Sequence, residues 1–149
     1  MVPRLQIVID SADPAKLAQF WAHALHYELE PPPDGAESWY VYWRDMGVPE
    51  EELVGVEGPE SVVDPAGVGP RIWFQKVPEE KTIKNRLHFD LGVSGGRAEP
   101  LATRRERVDA EVERLVAAGA RVLYDHAEPG IDHYGVTMAD PEDNEFCVN

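Results

Sequence analysis

Cysteine is nearly absent: Cys147 is the only one in 149 residues, so no internal disulfide can form, and a lone thiol is what a reducing compartment permits. Long hydrophobic runs are missing as well. Nothing approaches the roughly 18 consecutive apolar residues that span a bilayer, and the apolar run in MVPRLQIVID is too short for a secretory leader. A cytoplasmic protein is therefore expected. Basic charge is scarce, with 14 Lys and Arg against 28 Asp and Glu and a net charge of −14. Phosphate backbones and anionic lipid headgroups are bound by neutralising them with Lys and Arg, so neither nucleic acid nor a membrane is expected as a partner. No motif suggests a Ser-His-Asp nucleophile. VSGGRAEP has two glycines but lacks the Lys and Ser/Thr of a phosphate-binding loop.

What remains is an ordinary globular composition, 43% apolar and 28% charged. At this length roughly 70% of the unfolded chain's surface can be buried without a staple or a structural metal. One domain, or two small modules sharing a core, suits the size. LQIVID (Leu5 to Asp10) reads as a strand that stops at SADP, where Asp13 can cap a helix and Pro14 fits its first turn. In AKLAQFWAHALHY the residues Leu17, Phe20, Trp21, Ala24 and Leu25 recur at steps of three and four, a stripe down one helix face. His23 and His26 close that helix, where a protonated imidazole suits the negative end of the dipole. SWYVYWRD (Ser38 to Asp45) and RIWFQKV (Arg71 to Val77) are aromatic, β-favouring runs. The Gly-, Pro- and acid-rich stretch between them reads as a long connection with at most one short strand.

The second half replays this order. RLHFDLGV is a strand, SGGRAEP a breaker, and TRRERVDAEVERLVAAGA a helix with Val108, Val112, Leu115 and Val116 on one face and Gly119 at a left-handed cap. RVLYDHA, YGVTMAD and EFCVN then follow as strands, with EPGIDH as a loop and PEDN as a turn. Laying LQIVID over LHFDLG matches Gln6 with His88. Alternation sends Leu87, Phe89 and Leu91 toward the helices and His88 and Asp90 to the opposite face. By the same parity Gln6 and Asp10, Arg71, Trp73 and Gln75, and Glu145 and Cys147 share the open faces of their strands.

The stretches QIVIDSADPAKLAQFW, KNRLHFDLGV, VERLVAAGARVL and YGVTMADPEDNEFCV together resemble the vicinal oxygen chelate superfamily, and within it the glyoxalase-like domains. The closing stretch is the most specific, since members commonly end in a DPxGNxF turn and strand; here Asp143 stands where glycine is usual. The resemblance implies an α+β fold of two βαβββ modules, about residues 1–80 and 81–149 of a single domain. Their curved mixed sheets would form a cup, with helices outside, and a partner copy often completes it, so a homodimer is expected. It also implies a small-molecule ligand and, in many members, a divalent metal held by the first, fourth, fifth and eighth strands. Carried over, the first position falls on Gln6, the fourth-strand one near Trp73 or Gln75, the fifth on His88, and the last on Cys147 where a glutamate is usual.

Two chelation schemes follow. Glu145 could reach along the strand to join Gln6 and His88, as non-haem iron tolerates, or Cys147 could bind as thiolate, which suits zinc. Fe, Ni, Mn and Zn are the ions considered; the reading preferred over both schemes is that no metal binds and Cys147 acts as a small hydrophobe. The expected ligand pocket comprises Gln6, Trp43, Trp73, Gln75, His88, Asp90, His133 and Cys147, with Glu145 as the candidate proton-transfer group. Trp39, Tyr40 and Tyr42 are further candidates for an aromatic lining, or else for packing against helices. His126 and His133 flank AEPGID, a loop whose glycine and proline would let it serve as a lid. Binding of a small organic molecule, with its reaction unassigned, is the leading functional expectation. The alternatives are a metal-dependent lyase, isomerase or dioxygenase, and a non-catalytic drug-binding protein of the resistance type.

Overall fold

Asp13 and Pro14 begin the first helix as their chemistry dictates. The Asp13 carboxylate accepts the Lys16 backbone N–H at 3.2 Å, and the helix α1 runs Pro14–Leu25. It ends where His26 turns left-handed at φ 56°. Leu17, Ala18, Phe20, Trp21 and Ala24 are buried on its inner face, where each large side chain contributes about 1.5–3 kcal/mol by leaving water. The computed structural model describes residues 1–56 and 58–149; Glu57, inside the long connection of the first half, lies outside them.

The chain divides into two units, Met1–Glu79 and Glu80–Asn149. In the first, β1 (Gln6–Ser11) pairs in parallel with β4 (Arg71–Lys76), aligning Gln6 with Arg71 and Val8 with Trp73. Strand β3 (Ser61–Val63) runs antiparallel to β4, and β2 (Glu28–Leu29) antiparallel to β3, giving the order β1-β4-β3-β2. Helix α1 packs on β3 and β4, where Val62, Ile72 and Phe74 are buried. Parity therefore leaves Ser61, Arg71 and Trp73 on the other face of the sheet.

One element differs from expectation. SWYVYWRD contains no strand: Trp39–Asp45 forms a helix, α2. Ser38 caps it, its Oγ accepting the Val41 N–H at 3.1 Å, and Trp39, Tyr42 and Trp43 meet at helical spacing. Local capping and ring contacts between residues three and four apart outweigh the β preference of the individual aromatics. No residue of α2 is buried, so the helix does not build core.

The second unit has the same plan. Strand β5 (Asp90–Leu91) pairs in parallel with β8 (Glu145–Val148), β8 is antiparallel to β7 (Val136–Ala139), and β7 to β6 (Arg121–Asp125), giving the order β5-β8-β7-β6. Both halves are thus βαβββ modules with open four-stranded mixed sheets, and the α+β class holds. Helix α3 (Leu101–Ala117) buries Val108 and Leu115, and Gly119 follows its end at φ +111°. Two details depart from the sequence pattern. Only Asp90–Leu91 of RLHFDLGV forms strand, and Leu87, outside that ladder, is 86% exposed. On α3 Val116 is exposed while Arg104 is buried, its Nε donating to the Glu99 carbonyl and its Nη2 paired with Asp132. Leu115 and Val116 are neighbours 100° apart, and Arg104, Val108 and Leu115 form the tighter stripe.

The turn before β8 is organised by buried Asp140, whose Oδ1 accepts the N–H groups of Glu142 and Asn144, each at 2.9 Å. Asp143 takes the left-handed conformation at φ 64°, which explains why glycine is usual at that place. No helix among the described residues is long and apolar enough to cross a membrane.

Candidate functional site

A cavity of the first module lies on the sheet face turned away from α1. It measures about 420 Å³ and is lined by Trp39, Tyr42 and Trp43 of α2, Trp73 of β4, and by Glu60, Ser61 and Arg71, with Pro33 and Gly58 at its margin. Trp39 and Trp43 stack with centroids 5.9 Å apart, and Tyr42 meets both rings edge-on. The Trp39 indole N–H donates to the Glu30 carbonyl at 2.9 Å, tying α2 to the chain beyond β2. That bond occupies the indole's polar edge and leaves its faces for stacking.

Two charges face this aromatic wall, in different states. Arg71 is engaged through all three of its nitrogens. Its Nε donates to the Glu30 carboxylate at 2.9 Å, its Nη2 to Glu30 and to Ser61 Oγ at 2.7 Å, and its Nη1 to Gln6 Oε1 at 3.0 Å. Glu60 has no ion-pair partner among the described residues. Desolvation raises its pKa above the ordinary glutamate value, partly offset by the Trp73 indole hydrogen bond and the charge of Lys76.

In the second module the open face gathers a different set. The His88 Nδ1 lies 3.1 Å from Asp90 Oδ1, Asp90 is aligned with Cys147, and donor atoms of these three lie within 4.8 Å of one another. His88 and Asp90 are exposed and Cys147 is half-buried. The Cys147 Sγ also contacts Thr137 Oγ1 at 3.4 Å, which is 2.9 Å from His126 Nε2. Glu145 is ion-paired with Lys84. His133 lines a smaller cavity of about 280 Å³ with Ser94, Arg97, Arg104 and Tyr134.

Of the residues picked from sequence, Trp43 and Trp73 come together in the first module, and His88, Asp90 and Cys147 in the second. Gln6 sits beside Arg71, Gln75 is exposed and lines neither cavity, and His133 stands in its own cavity. Sequence reasoning missed Glu60, Glu30, Ser61 and Thr137. Arg71 carried a signal, since parity put it on the open face.

The family model of the glyoxalase-like domain matches residues 6–149. The chain belongs to that family. Three solved structures share its fold. A hypothetical protein, SA1046, from S. aureus has 16% identity and a TM-score of 0.59, covering 99% of this chain and 93% of that one. A glyoxalase/bleomycin resistance protein/dioxygenase family enzyme from Burkholderia phytofirmans PsJN has 16% identity and a TM-score of 0.58, covering 97% and 94%. The fosfomycin resistance protein FosX from Listeria monocytogenes has 13% identity and a TM-score of 0.59, covering 100% and 92%. No curated protein matches the sequence significantly. The vicinal oxygen chelate resemblance thus holds for this glyoxalase-like domain.

The metal that the resemblance implies meets unsuitable company here. At the first-strand position the Gln6 carboxamide oxygen already accepts from the Arg71 guanidinium, and a fixed cation at that distance opposes a second one. The fourth strand offers Trp73, whose indole is a donor only, and Gln75, which lines neither cavity. The Glu145 carboxylate is taken by Lys84. A hard divalent ion on the Gln6, His88, Glu145 set does not fit these residues.

Proposed function

We propose that this glyoxalase-like domain binds a small organic molecule in the aromatic cavity of its first module, with the four aromatic rings as the recognition surface. One observation carries the reading: α2 presents Trp39, Tyr42 and Trp43 without burying any of them in core, opposite Trp73, around about 420 Å³ of space. Pockets for small ligands are mostly apolar, fall in this size range and carry a few placed polar groups. Ligand screening by thermal shift tests it, because a ligand that binds only the folded chain raises the melting temperature by mass action. Hits are expected to quench tryptophan fluorescence and to be lost in Trp43→Ala and Trp73→Ala. Shifts that survive both substitutions unchanged would place the ligand elsewhere.

A second reading, metal-assisted lyase, isomerase or dioxygenase chemistry, is favoured by the His88, Asp90 and Cys147 cluster. A Glu-to-Gln variant of Listeria FosX is known in complex with Mn(II) and 1S,2S-dihydroxypropylphosphonic acid. Elemental analysis of protein purified without chelators decides: stoichiometric Fe, Ni, Mn or Zn that disappears in His88→Ala supports it, and metal-free protein with full ligand affinity removes it. The homodimer belongs to the proposal as well. Edge strand β1 leaves Val8 exposed, next to exposed Leu5, which is what a partner would cover.

A further inference from the structure

We infer that the guest of the aromatic cavity is an organic cation, a flat quaternary or protonated amine, held between the indole faces with Glu60 as its counter-charge. This rests on the cavity being the ligand site and names the class of ligand it takes.

The charges at the cavity give the sign. Arg71 and Glu30 neutralise each other, and Arg71 donates further bonds to Ser61 and Gln6. An incoming anion would have to displace bonds already made, including contacts to a carboxylate. Glu60 stands in the opposite position: it lines the cavity without a guanidinium or ammonium paired to it among the described residues. Its carboxylate is partly held out of water and is met only by the Trp73 indole N–H and by the charge of Lys76 beyond ion-pair distance, so a nearer counter-charge is favourable. A cation entering the cavity would supply it.

The aromatic groups select the same sign. Indole is the strongest of the aromatic side chains for attracting a cation to its face, and three of the four rings here are indoles. Trp39 and Trp73 have their N–H edges turned to Glu30 and Glu60, so their negative faces are what the cavity can offer. A compact, strongly hydrated ammonium ion would have to give up its water for stacking, whereas a delocalised aromatic cation brings both charge and a flat face. The flat wall made by stacked Trp39 and Trp43 suits the latter.

Three probes of one shape and different charge test this on the intact protein at pH 7.5: N-methylquinolinium, neutral quinaldine and anionic quinaldate, read by calorimetry and tryptophan quenching. The cation is expected to bind about tenfold more tightly than the neutral compound, the margin of one well-placed charge contact. Glu60→Gln should reduce that gap to about threefold or less; circular dichroism and a melting curve check that the variant is folded. Trp43→Ala and Trp73→Ala should weaken cation and neutral compound alike. Equal binding of cation and neutral compound overturns the cation assignment, and a gap that survives Glu60→Gln overturns Glu60 as the counter-charge, while in both cases the cavity stands as a ligand site. Preference for quinaldate overturns it in favour of Arg71. Absence of binding by all three up to about 10 mM overturns the assignment and the cavity reading together.

Discussion

Glu60 ties the proposed function to stability. Its carboxylate is raised in pKa chiefly by desolvation, so the folded chain holds that proton more tightly than the unfolded chain does. A group shifted in this direction contributes stability below its unfolded pKa and loses it as pH rises through the folded value. Near neutrality the ionised carboxylate therefore opposes folding. Glu60→Gln keeps an oxygen for the Trp73 N–H and removes the charge, so it is expected to melt above the wild type at pH 7. That advantage should shrink toward about pH 4, where the wild-type side chain is protonated; a variant that melts lower at pH 7 would contradict it. Such a residue is hard to see in sequence. The faces of Gln6, Trp73 and Cys147 were legible because strand alternation assigns one to each, whereas Glu60 sits at the end of a Gly- and Pro-rich run with no period. Arg104 was hidden for a related reason: a guanidinium reads as surface until the Glu99 carbonyl and Asp132 that meet it are known.

Among the elements, α1, β4 and β8 follow directly from the order of apolar and capping residues, and the observed burial of Phe146 and Val148 with Glu145 and Cys147 less buried follows that order. Helix α2 does not. The aromatic content of WYVYW favours a strand when residues are weighed one at a time, and what decides against it is a serine cap and ring contacts at helical spacing. Since α2 buries no residue, its cap should matter more to the cavity than to global stability. Ser38→Ala removes a bond worth about 1 kcal/mol to the helix. The expected outcome is a melting temperature close to wild type together with weaker probe binding and altered tryptophan emission. A large drop in melting temperature with binding intact would show that the helix serves the core instead.

For the molecule as a whole, charge is the property with reach. A net −14 creates a field that attracts cations from beyond contact distance, and salt screens it over about 8–10 Å at ordinary ionic strength. The association rate of N-methylquinolinium, followed by stopped-flow tryptophan quenching, is expected to fall severalfold between about 20 and about 300 mM NaCl. Quinaldine should show no such dependence. Equal salt sensitivity for both would point to a salt effect on the protein rather than on the encounter. Composition alone revealed the sign of that field, whereas the placement of Glu60 in the cavity wall required the fold.

The parallel pairing of first strand with last in each module also bears on biogenesis. Gln6–Ser11 forms its ladder with Arg71–Lys76, so a chain emerging from the ribosome carries an unmatched edge through most of the synthesis of that half. Contacts so distant in sequence form slowly, and until they do, the newborn strand is open to pairing with a neighbouring polysome's copy. The acids scattered along the intervening loops then have a use during translation, their like charge keeping such nascent chains apart.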